Sequence, residues 1–163
     1  MKNLLITTII ATLPLIAAPA FAADEINVSS GLSTAGVPLA AHGADPVALL
    51  NQGKVMEGSA DIALAHDGAA YYFASAENKA EFEANPAKYV PQHGGFCSYG
   101  VAVGQKFDGD PEQFVVHDGK LFLFLNATTR DLFLKDVEGT KATADNQWKD
   151  IKHTSAADLA KEG

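Results

Sequence analysis

The sequence predicts an α+β protein, a small single domain with two β-hairpins and several short helices, and three observations carry that reading. Two alternating apolar runs are each interrupted by the same tripeptide, His66-Asp67-Gly68 and His117-Asp118-Gly119. An Asp-Gly pair between such runs marks a two-residue hairpin turn, because both central residues need positive φ. Helix punctuation appears between and after the hairpins, with capping side chains before apolar segments and glycine or proline behind them. Finally, removing a 22-residue leader from 163 residues leaves 141, the size of one ordinary domain with a core of its own.

The leader is the first element. Lys2 precedes an apolar run over residues 4–16, and Ala20-Phe21-Ala22 follows, the pattern of a cleavable secretory signal with cleavage after Ala22. The apolar run is short of the roughly 20 residues that a membrane-spanning helix needs. Residues 1–22 are thus expected to be a signal peptide and residues 23–40, rich in Ser, Gly, Thr and Ala, a flexible lead-in. The domain proper is expected over 41–152, with a polar, frayed tail over 153–163.

Within the domain, Asp45 can cap a helix that has Pro46 at its first position and ends at Gly53. Ile62, Leu64 and His66 share one face of the first hairpin strand, and residues 69–74 return with Tyr71, Tyr72 and Phe73. Ser75 can cap a helix over residues 76–85 with Phe82 facing in, stopped by Pro86. The segment 96–103, ended by Gly104, is apolar and small and reads equally as helix or strand. Residues 113–124 form the second hairpin. Its shared His-Asp-Gly is read as recurring turn chemistry, since the surrounding residues do not otherwise align. Leu132 and Phe133 then sit on a helix closed near Gly139, and Thr140 can cap a last helix carrying Ala144, Trp148 and Ile151.

The formal charge of −8 becomes about −9 without the leader's lysine. Such a surface repels phosphate backbones and anionic lipid, which excludes nucleic acid and, after signal cleavage, membrane as expected partners. A metal ion, a small ligand or a periplasmic protein remains. Export leads to an oxidising periplasmic or secreted location, yet Cys97 is the single cysteine, so no internal disulfide can form.

Chemistry concentrates in residues 89–102, Tyr-Val-Pro-Gln-His-Gly-Gly-Phe-Cys-Ser-Tyr-Gly-Val-Ala. Cys97 and His93 stand four residues apart and can meet across a turn. A thiolate with imidazole selects copper or zinc over hard cations. Against this stands Cys97 as a small buried hydrophobe within a non-catalytic small-molecule or protein-binding module. A thiol-dependent enzyme would make Cys97 the nucleophile and His93 its base, but it needs an orienting group and an oxyanion donor. The aromatics Tyr71, Tyr72, Phe73, Phe122 and Phe124 can line an apolar pocket or, at strand spacing, form sheet core. His66 and His117, flanking turns, and His153, in the tail, read as solvated surface residues.

The order of features from about residue 41 to 148 resembles the YHS domain proteins, in particular their exported group. The resemblance rests on Gly43-Ala44-Asp45-Pro46-Val47-Ala48, Gly68 through Tyr72-Phe73-Ala74-Ser75 and Asn78, Phe82 with Asn85-Pro86 and Tyr89, Gly94-Gly95-Phe96-Cys97 with Gly100-Val101-Ala102, and Asp118-Gly119-Lys120-Leu121 leading to Trp148. It implies a compact α+β domain tied to heavy-metal handling. The cysteines of metal-binding relatives correspond here to Ala74 and Asn78, so that ligand set is absent and only Cys97 remains. His93 stands where the exported group often has tyrosine. The resemblance also implies that the Asp45-Pro46 turn lies near the glycine pair, which makes His42 a third candidate ligand. The expected metal site is therefore Cys97, His93 and His42, holding copper or zinc.

Overall fold

A computed structural model describes residues 24–162, so the expected signal peptide lies outside the described residues. The α+β class holds: seven α-helices and two two-stranded antiparallel hairpins make up the described chain. Helix α1 (Pro46–Gln52) starts where Asp45 accepts from the Val47 and Ala48 amides and ends at Gly53, whose φ of 61° closes it in the left-handed region. Strands β1 (Ser59–His66) and β2 (Ala69–Phe73) meet through Asp67 and Gly68, with φ of 47° and 84°. Ser75 caps α2 (Ala76–Ala84), and Pro86 both stops it and opens the single turn α3 (Pro86–Tyr89).

The second half follows the same plan. The ambiguous segment is helix α4 (Ser98–Ala102), reached through a 3-10 turn over Gln92–Gly95. Strands β3 (Asp110–His117) and β4 (Lys120–Phe124) make the second hairpin, Asn126 caps α5 (Ala127–Lys135), and Asp136 caps α6 (Val137–Ile151). A last helix, α7 (Ala156–Glu162), follows.

The elements of the two halves follow one another in the same order at a spacing of 51 residues, which corrects the reading of the shared His-Asp-Gly as turn chemistry alone. His42 and His93 each sit at positive φ in a 3-10 turn, with φ of 51° and 53°. The Asp45 amide donates to the Met56 carbonyl and the Cys97 amide to that of Phe107, one residue of offset apart. Both hairpins carry a register break at the same place, between Ser59 and Ala63 and between Asp110 and Phe114. Phe82 and Phe133 are the fully buried anchors of α2 and α5. Asn85 and Asp136 separate consecutive helices in nearly the same conformation, φ/ψ of −154°/74° and −150°/79°. Sequence identity across the halves is sparse because only turn geometry and core anchors need the same residue.

The aromatics are sheet core: Phe73, Phe122 and Phe124 have no exposed surface. One apolar cluster joins Leu49, Tyr71, Phe73, Phe82 and Leu121, and a second surrounds Phe122, Phe124 and Phe133.

Three expectations change. The lead-in winds through turns but is tied down, since the Asn27 amide donates to the Gly94 carbonyl, Val28 bridges Ala40, and Leu39 bridges Ala70. Gly94 must be glycine there, because its φ is 63° and a Cβ would collide with the Glu25 carbonyl. The tail is helical rather than frayed, with Leu159 buried beside Ile151 and its carbonyl accepting from Gln105. And Gly139 lies inside α6 instead of ending α5, because the Asp136 carboxylate caps the new helix on the Gly139 amide; Thr140 is not the cap.

Candidate functional site

The three residues singled out as metal ligands do not share one coordination sphere: His42, His93 and Cys97 are not among the donor groups whose ligand atoms lie within 4.8 Å of one another. Each has a protein partner instead. Cys97 ends the bridge to Leu123, has no exposed surface, and packs with Phe122, Phe124 and Phe133. Its sulfur accepts from the Gly100 amide at 3.4 Å, so the thiol serves as the N-cap of α4. His42 is exposed and bonds the Asp108 carboxylate at 2.9 Å, to which Asn27 also donates at 2.6 Å.

His93 is the most constrained of the three. Its Nε2 lies 3.1 Å from Asp145 Oδ1, and its Nδ1 lies 3.0 Å from the Ser98 hydroxyl. An ionised carboxylate can only accept, so Nε2 carries the hydrogen and Nδ1 accepts from Ser98. Burial is the main influence on the imidazole and pushes its pKa down, against the opposing pull of Asp145. For Asp145, burial pushes the carboxyl up, but the bonds and charges of His93 and Lys141 outweigh it and hold the group below its usual range.

The order Ser98, His93, Asp145 has the connectivity of a nucleophile relay with the two ring nitrogens exchanged. Ser98 nevertheless has no exposed surface, so its oxygen is closed to a substrate. The network instead ties the 3-10 turn, α4 and α6 together, with every buried polar side-chain atom among the described residues satisfied.

A donor group built on His117, which reads from the sequence as a solvated surface residue, does converge. His117 closes β3, Asp118 follows at φ 50° in the hairpin turn, and Glu138 lies in the first turn of α6. His117 Nε2 is 2.7 Å from Glu138 Oε1 and 3.4 Å from Asp118 Oδ2. Tetrahedral coordination with bonds of about 2.0–2.1 Å requires donors about 3.3 Å apart. The His117–Asp118 separation already meets this, and the exposed Glu138 oxygen stands nearer to His117 than two bound donors would. The hairpin half of this group could be read from His117-Asp118-Gly119; Glu138 could not, because nothing in the sequence says where α6 begins.

Beside it, a cleft between α4 and α6 is lined by Tyr99, Ala102, Val103, Asp136, Gly139, Thr140 and Thr143. In comparisons with family models, with curated proteins and with solved structures, nothing matches the chain.

Proposed function

We propose that the protein is an exported, periplasmic or secreted, non-catalytic binding protein for a borderline divalent transition metal, zinc or copper(II), held by His117, Asp118 and Glu138. The observation that carries this reading is the convergence of one imidazole and two carboxylates on a rigid hairpin turn and a helix start. One nitrogen and two oxygen donors suit Zn(II) and Cu(II); without a thiolate they do not favour Cu(I). The acidic surface of the chain supports the approach of a cation. The leader supports export, and kinship with the exported YHS domain proteins belongs to the same proposal.

Zn(II) or Cu(II) titrated into the chain lacking residues 1–22, followed by native mass spectrometry and calorimetry, tests the reading. His117→Ala is expected to abolish the bound ion and Cys97→Ser to leave it in place. Equal metal content in wild type and His117→Ala would overturn it. A second reading, a small-molecule binding module, is favoured by the cleft between α4 and α6, and Tyr99→Ala separates the two because it alters that cleft without touching a metal donor.

A further inference from the structure

The 51-residue spacing that relates the two halves carries the first hairpin onto the second, turn included. His66 and Asp67 therefore repeat His117 and Asp118. Their geometry agrees closely: Nε2 to Oδ2 is 3.3 Å in the first pair and 3.4 Å in the second, and both imidazoles are 29% exposed. The turn aspartates share the same left-handed conformation, φ 47° and 50°.

The halves differ at the third position. Asn85 and Asp136 have nearly the same backbone geometry and each starts a helix, so Ala87 in α3 stands where Glu138 stands in α6. Ala87 is exposed. At the first hairpin, the position equivalent to Glu138 thus carries a methyl group where the second hairpin offers a carboxylate. Two donors on a surface turn hold a cation far less well than three, because each added ligand acts at the high effective concentration set by the first two.

We infer that the protein contains two copies of one cation-binding hairpin, and that Glu138 alone makes the second copy competent while Ala87 leaves the first one donor short. The inference rests on the proposed metal-binding reading. It assigns the selectivity between hairpins to a single position in the helix that follows each of them.

Zn(II) itself is the probe, with stoichiometry read by native mass spectrometry and affinity by calorimetry. Wild type is expected to bind one ion, Glu138→Gln to bind at least tenfold more weakly, and Ala87→Glu to bind two. In the Ala87→Glu background, His66→Ala is expected to return the count to one, which ties the new ion to the first hairpin. Circular dichroism and Trp148 fluorescence report folding, and Ala87→His supplies an independent third donor at the same exposed position. One ion in wild type and still one in folded Ala87→Glu and Ala87→His overturns this inference and leaves the metal-binding reading standing. No ion in wild type or in either Ala87 variant overturns both.

Discussion

His93 donates its Nε2 hydrogen to Asp145 across 52 residues of chain while its other nitrogen accepts from Ser98, five residues ahead. The ring is thereby fixed as the neutral tautomer, and burial keeps its pKa below the usual value near 6.5. The unfolded chain takes up a proton near that pH that the folded chain refuses. Stability from this group is therefore complete above about pH 6.5 and is lost as pH falls through the lowered pKa of His93. Urea midpoints should be lower at pH 5.5 than at pH 7.5, and His93→Gln should shrink that difference. An unchanged difference in the variant would show that another group sets it.

Asp45 is wholly buried and accepts from four donors: the amides of Val47, Ala48 and Ala74, and the side chain of Asn78 at 2.6 Å. Asp45→Ala should cost about 3 kcal/mol or more, since it removes a helix cap and leaves buried donors unpaired. Asp45→Asn should cost about 2 kcal/mol, because its amide turns a donor toward other donors. Equilibrium urea unfolding measures both.

Lys106 is buried, and its ammonium donates to the carbonyls of Asp24, Lys152 and Thr154 while lying over the rings of Phe96 and Trp148. Burial is the main influence on its pKa and lowers it. Lys106→Met keeps the apolar stem and should cost about 2 kcal/mol, with a shift in Trp148 emission and faster proteolysis of residues 24–40. Wild-type protease resistance in that segment would count against the clamp.

Cys97, sealed among phenylalanines, should label slowly with a thiol reagent in the native protein and rapidly in urea. Cys97→Ala should cost about 1–2 kcal/mol with no change in bound metal. Rapid native labelling would return the thiol to the list of candidate ligands.

Local chemistry made much of this fold legible in the sequence. Asp67-Gly68, Asp118-Gly119, Asp45-Pro46 and Ser75 each dictate a backbone conformation within a few residues, and each holds in the structure. What failed depended on distant partners. Asp136 and Thr140 are both plausible caps by type, and only packing between α5 and α6 decides between them. The polar tail folds because Leu159 finds Ile151. His93 and Cys97 stand out in the sequence, but what surrounds them comes from other elements: Asp145 takes the Nε2 hydrogen of His93, and Phe122 seals Cys97 from solvent. The internal repeat is faint in the sequence because it is preserved in turns, caps and two buried phenylalanines rather than in a run of identical residues.

The carbonyls of Asp24 and Thr154 grip the same nitrogen at 2.5 and 2.7 Å, so they lie within about 5 Å of each other. The path from residue 24 to residue 154 is therefore nearly a closed ring. A linker of a few residues could join these positions if α7 were left off, at the cost of the Leu159 contact with Ile151, and new termini could be opened at the exposed Gly119 turn without breaking the ammonium clamp. Circular permutation there would test whether β3 and β4 must be contiguous in the chain to pair.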